Sequence, residues 1–169
     1  MSKAVMISIQ PKWCELIANG KKTVEVRKTK PKFETPFKVY IYCTKSRIPY
    51  ESFAVSGGKV IGEFVCDRIE LITEHELFYG MDEISDSQIA ELSCVESEQL
   101  LRYKGKNDFL YAWDISNLVI YDKPKELSEF MHYKYFDWWD YGHHENKRQR
   151  ELCNLTRPPQ SWCYVEEQK

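Results

Sequence analysis

The chain has 169 residues, a net charge of −2 and an aromatic content of 14%, which suits one domain with a sizeable core and excludes a disordered chain. With 26 acidic residues against 24 basic ones, the molecule as a whole is no polycation, so any nucleic-acid contact must come from a local basic patch. No run of 18 apolar residues occurs, which excludes a membrane-spanning helix.

The opening MSKAVMISIQ reads as a first strand, Ala4 to Ile9, and not as a secretion signal. The expected location is therefore cytoplasmic. There the six cysteines, Cys14, Cys43, Cys66, Cys94, Cys153 and Cys163, are expected to be reduced and mostly small core residues.

Pro11 suits the first turn of a helix. Trp13, Leu16 and Ile17 recur at helical spacing, and Asn19-Gly20 ends a helix over 11–19. Thr23 to Lys28 alternates, with Val24 and Val26 on one side and Thr23, Glu25 and Arg27 on the other. This predicts a half-buried strand with a polar face. A strand over Lys38 to Cys43 follows a Pro-containing loop.

After a loop over 44–58, Lys59 to Ile72 reads as one long, bent strand, with Gly62 marking a bulge or a close backbone approach. Residues 74–104 turn helical: Ser85-Asp86-Ser87 opens one helix, Ser97 precedes a second, and Gly105 ends it. Phe109 to Ile115 alternates as strand and Leu118 to Tyr121 continues it. Asp122-Lys123-Pro124 predicts a break, then a helical turn over Lys125 to Phe130.

Residues 131–150 mix Trp138, Trp139 and Tyr141 with Lys147, Arg148 and Arg150. They read either as an added recognition element or as an extra helix covering the core. A last strand is predicted at Ser161 to Val165. There is no internal repeat, so the domain expected is a single one over 1–169, with 131–155 as an insertion. The element order is α+β, and several short strands favour a small, mostly antiparallel barrel with flanking helices and a helical insertion.

The chemistry concentrates in residues 20–32, GKKTVEVRKTKPK. Lys21, Lys22, Arg27, Lys28, Lys30 and Lys32 stand against the single acid Glu25. Such a segment suits a phosphate backbone or anionic ligand; a lysine-protected edge strand has the same composition. Glu25 and Arg27 share a strand face, where long side chains bridge the two-residue step. An Arg held by a carboxylate can fork onto phosphate or a base edge. Lys22 beside Thr23 also fits a hydroxyl nucleophile activated by an amine. Trp13 is the stacking candidate and, as a helix-stripe residue, equally a core candidate. His143-His144 with Cys153 and Cys163 lacks zinc-ligand spacing, so no metal is expected. No phosphate-binding loop, dinucleotide fingerprint or serine-hydrolase motif occurs, so no cofactor is expected either.

The segment from Met6 to Lys28, MISIQPKWCELIANGKKTVEVRK, resembles the opening signature of ASCH domains: strand, helix, then Gly-x-Lys-Thr-x-Glu-x-Arg. Four later pieces agree in order: KVYIYC (Lys38 to Cys43), KVIGEFVC (Lys59 to Cys66), YAWDISN (Tyr111 to Asn117) and RPPQSWCYV (Arg157 to Val165). The resemblance implies a PUA-like β-barrel with a cleft beside the first helix and an association with RNA. A bacterial branch of the family hydrolyses N4-acetylcytidine with a Lys, a Thr and a Glu. Lys22 matches that Lys, whereas Glu25 occupies the Thr position. The branch's Glu falls where this chain has Glu74, Glu76 and Glu83.

The reading reached is RNA or nucleotide-like ligand binding through Trp13, Lys21, Lys22, Thr23, Glu25, Arg27 and Lys28. The alternatives are a hydrolase acting on a modified nucleoside or on RNA, with Lys22 central and Thr23, Glu25 or Glu63 as partner, and a protein-interaction adaptor docking through the aromatic insertion.

Overall fold

The structure is a computed structural model and describes residues 3–45, 57–73, 86–140 and 142–168. β1 (Lys3–Ile9) has no polar face, and it lies second in a five-stranded sheet of order β10–β1–β3–β4–β7. Here β3 is Phe37–Cys43, β4 Lys59–Cys66, β7 Ser116–Lys125 and β10 Trp162–Glu166. The β1–β3 pair is parallel; the others are antiparallel. Alternation divides β1 between two cores. Val5, Ile7 and Ile9 join Cys14 and Ile17 of α1 (Pro11–Ala18), together with Val39, Ile41, Phe64 and Trp113. Ala4 and Met6 join Tyr40, Leu127, Phe130, Leu155 and Val165 on the other side. Each fully buried Val, Leu, Ile, Phe or Met among them contributes about 1.5–3 kcal/mol.

A three-stranded sheet of order β2–β6–β5 carries the third core. β2 is Val24–Arg27, β5 Ile69–Thr73 and β6 Phe109–Asp114. Val24, Val26, Ile72, Leu110 and Ala112 meet Ile89 of α2 (Asp86–Ser93) and Leu100 of α3 (Ser97–Lys104).

Several expectations are corrected. The run over Lys59 to Ile72 is two strands in different sheets. The chain changes sheet at Asp67-Arg68, where the Arg68 carbonyl accepts the Asp114 N–H at 3.0 Å and the Ser116 hydroxyl donates to the Val65 carbonyl at 2.9 Å. β6 and β7 turn the same corner at Ile115. Among the described residues the strands pair as separate sheets, none of which closes into a barrel. The architecture is a mostly-sheet α+β fold with few helices.

Asp122-Lys123-Pro124 does not end its strand either. β7 is the edge strand, and its pairing jumps from Gly62↔Ile120 to Val60↔Lys125, so these residues sit in a bulge that tolerates a missing N–H. At Gly62 a Cβ would stand 2.4 Å from the Val119 carbonyl oxygen, so this crossing needs glycine. Residues 131–154 form no helix over the core. They make a two-stranded ribbon, β8 (Met131–Asp140) with β9 (Glu145–Asn154), most of it exposed. All six cysteines are free, and Cys14, Cys43 and Cys66 fill the core. No described helix is long and apolar enough to cross a membrane.

Candidate functional site

The site begins where α1 ends. Gly20 adopts φ +68°, and the N–H groups of Lys21 and Lys22 return to the Leu16 carbonyl at 2.9 and 3.0 Å. This turn delivers Lys22 to the C-terminal end of α2. There the Thr23 N–H donates to the Leu92 carbonyl at 2.9 Å, and Lys22 Nζ donates to the Ser93 carbonyl at 2.7 Å. Two orphan carbonyls of α2 are satisfied by one dipeptide, and the ammonium complements the negative end of the helix.

β2 is buried on both faces, not half-buried as expected. Val24 and Val26 face the helices, while Glu25 and Arg27 face the other way at 7% and 9% exposure. Glu25 bridges two cations: its Oε2 lies 3.2 Å from Lys22 Nζ and its Oε1 lies 3.0 Å from Arg27 Nη2. Lys22 Nζ also donates to the Val24 carbonyl at 2.9 Å. With Ser93 and Glu25 this uses all three of its N–H groups. Arg27 Nη2 donates to the Ser8 carbonyl at 2.6 Å and Nη1 to Ser161 Oγ at 3.4 Å. Its Nε is buried with no hydrogen-bond partner. The cluster holds two cations and one carboxylate out of water, so one positive charge lacks a counterion within it.

These groups form one wall of a cleft of about 700 Å³. Trp13, Tyr42 and Tyr103 bring rings to it, Gln99 and Gln160 bring amides, and Lys45 adds a further cation. Trp13 is half-buried: one part packs on the first core and the rest lines the cleft, with Lys22 Nζ 5.4 Å from its ring centroid. Burial pushes the Tyr103 phenol up, against the lowering influence of the Arg27 charge.

Of the residues singled out from the sequence, Trp13, Lys22, Glu25 and Arg27 converge on the cleft, whereas Lys21, Thr23 and Lys28 are not on its wall. Lys28 Nζ sits 4.9 Å from the Tyr103 ring instead. Glu63 belongs to a different cluster, paired with Lys38 at 2.9 Å and accepting from the Tyr121 hydroxyl at 2.5 Å. Glu74, Glu76 and Glu83 lie outside the described residues. Sequence reasoning missed Tyr103, Gln99 and the wall segment Pro158 to Gln160. The Arg-Pro-Pro-Gln run was visible, but nothing local ties it to β2; the link runs through β1, where the Ser8 hydroxyl donates to the Pro159 carbonyl at 2.6 Å and the Ser8 carbonyl accepts from Arg27 Nη2.

The zinc candidates do not assemble. His143 stands at the tip of the ribbon beside Asp140, Cys153 near the ribbon's base, and Cys163 on β10. Asp140, His143 and Glu145 do converge at the exposed tip. Lys147 already pairs with both carboxylates there.

The family model of the ASCH domain matches residues 7–125. The chain belongs to the ASCH domain family. Among solved structures, this ASCH chain is similar to a tyrosine-to-phenylalanine variant of the ASCH protein from Zymomonas mobilis. That match has 19% identity and a TM-score of 0.63, and covers 98% of this chain and 92% of that one. The unmutated Zymomonas mobilis protein gives 19% identity and a TM-score of 0.55, covering 97% and 88%. At this identity the likeness speaks for the fold alone. A search of curated protein sequences gave no match. The family match includes the Lys22–Glu25–Arg27 cluster and ends before β8, so the ribbon and Pro158 to Gln160 lie beyond it.

Proposed function

We propose that the cleft binds a nucleotide unit of RNA, with its phosphate at Arg27 and its base against Trp13 or Tyr103. The observation that carries this reading is the buried, net-positive cluster of Lys22, Glu25 and Arg27 on the cleft wall. An anion bound against this wall supplies the missing countercharge. Aromatic walls suit a base, whose stacking is worth about 1–3 kcal/mol. Membership of a family associated with RNA points the same way.

Hydrolysis of a modified nucleoside is the weaker reading. It needs Lys22 to act on a hydroxyl, but every N–H of Lys22 already has an acceptor, and Thr23 is off the cleft wall. Lys22 contributes its field and holds Glu25 in place.

The test is calorimetric titration of adenosine 5′-monophosphate and a mixed-sequence RNA decamer at low salt. Arg27→Gln is expected to weaken both by at least about tenfold, or about 1.4 kcal/mol. Equal affinity in a folded Arg27→Gln protein, or no binding by the parent, overturns the reading. Release of cytidine from N4-acetylcytidine replaces it with the hydrolase.

A further inference from the structure

The β8–β9 ribbon uses few of its side chains for packing. Tyr135, Phe136, Trp138 and Trp139 are 55, 48, 43 and 44% exposed, an unusual load of aromatic surface for a two-stranded element. Its base is fixed. Phe130 is fully buried with its ring 4.8 Å from that of Tyr40, and the Leu155 N–H donates to the Phe130 carbonyl at 2.7 Å.

The register sorts the side chains, because directly opposed residues share a face. One face carries Tyr133, Tyr135, Asp137 and Trp139 from β8, opposite Leu152, Arg150, Arg148 and Asn146 from β9. On it the Arg150 guanidinium lies 3.7 Å from the Tyr133 centroid and that of Arg148 lies 4.5 Å from the Tyr135 centroid. Two arginines stand against one acid there. The opposite face carries Lys134 and Lys147 against Asp140, Glu145 and Glu151, a net negative set. The two faces thus differ in sign.

From this face we infer a second nucleic-acid contact: Tyr133, Tyr135, Trp139, Arg148 and Arg150 dock single-stranded RNA that continues out of the cleft. The inference extends the RNA reading of the cleft. Charge selects the occupant. Each ring on this face is interleaved with a guanidinium, a carboxylate or an amide, so no continuous apolar patch is offered to a protein or an acyl chain. Guanidinium planes stacked on tyrosines suit bases on their flat side and phosphates on their edge. Arg148 spends one contact on Asp137 at 3.3 Å, and no carboxylate lies within ion-pair distance of Arg150 among the described residues. Rings can stack only on bases freed from a duplex, which selects single strands. Connectivity fits too: four residues after β9 ends at Asn154, the chain forms the cleft wall at Pro158.

The experiment follows fluorescence anisotropy of labelled single-stranded RNA, a pentamer and an eicosamer, with the full chain. Arg148→Gln/Arg150→Gln and, separately, Trp139→Ala are compared with the parent, and circular dichroism checks folding. The eicosamer is expected to bind about tenfold more weakly to each variant. For the arginine pair the log K against log salt slope becomes shallower by about 1.4, two phosphates at about 0.7 each. Pentamer and adenosine 5′-monophosphate affinities stay at the parent value. Unchanged eicosamer affinity and salt slope in both variants overturn the inference. So does a ribbon substitution that lowers the solution mass by light scattering while RNA affinity holds, which marks a face between copies. If the parent binds the eicosamer in a ribbon-dependent way but no mononucleotide, the ribbon contact stands and the cleft reading falls. If the parent binds no RNA, both fall.

Discussion

Carboxylates meet cations at two places in this molecule in opposite surroundings. At the cleft, Lys22, Glu25 and Arg27 are 2, 9 and 11% exposed at the side chain. On the ribbon, Asp137 and Arg148 are 68 and 65% exposed. The chemistry is the same and only the solvent differs. Water screens the ribbon pair, so its charges remain available to an incoming polyanion. In the cleft each charge depends on the others, because losing one partner strands the rest in a low dielectric. The cleft is therefore preorganised and intolerant of change, while the ribbon is adaptable and tolerant of it.

The contrast can be broken most sharply at Glu25. Glu25→Ala leaves two buried cations without their shared carboxylate, and stability measured by urea unfolding is expected to fall by about 3–5 kcal/mol. Arg27→Gln leaves Lys22 and Glu25 as a neutral pair, so a smaller loss of about 1–3 kcal/mol is expected, alongside the tenfold loss of nucleotide affinity. A Glu25 variant as stable as the parent would mean that the cluster is not dry.

Glu63 supplies an intermediate case, with its side chain 23% exposed. Burial works to raise its pKa, but the Tyr121 hydroxyl and the Lys38 ammonium outweigh burial and hold the carboxyl below its ordinary range. A depressed pKa stabilises the fold above the unfolded-state value and is lost as pH falls through the folded-state value. Acid unfolding curves should therefore lose stability below about pH 4.5, the unshifted glutamate value, and Glu63→Gln should flatten that part of the curve. The smallest effect belongs to the ribbon. Asp137→Asn is expected to change stability by less than about 0.5 kcal/mol, and a larger loss would show that the ribbon pair is structural.

The polar spacing of Glu25 and Arg27 was legible in the sequence, as was the helix that delivers Lys22. Their burial was not. Alternation says which residues share a face, but not whether water or protein covers it. The cover comes from Ser8, Tyr103 and Pro158 to Gln160, far apart in the chain. The ribbon stayed ambiguous for a related reason. Both of its faces mix aromatics with charges, so no apolar–polar period of two emerges. The sheet change at Asp67-Arg68 also left no mark, since β4 and β5 have the same strand-forming character on either side of it.

Lys22 has one more consequence. Its ammonium and the neighbouring amide of Thr23 hold the last carbonyls of α2, so the grip on that helix end and the field inside the cleft come from the same residue pair. Filling the cleft with an anion should retune how often the end of α2 frays. Amide-hydrogen exchange over residues 90–93 then becomes a remote reporter of occupancy, readable with unlabelled RNA.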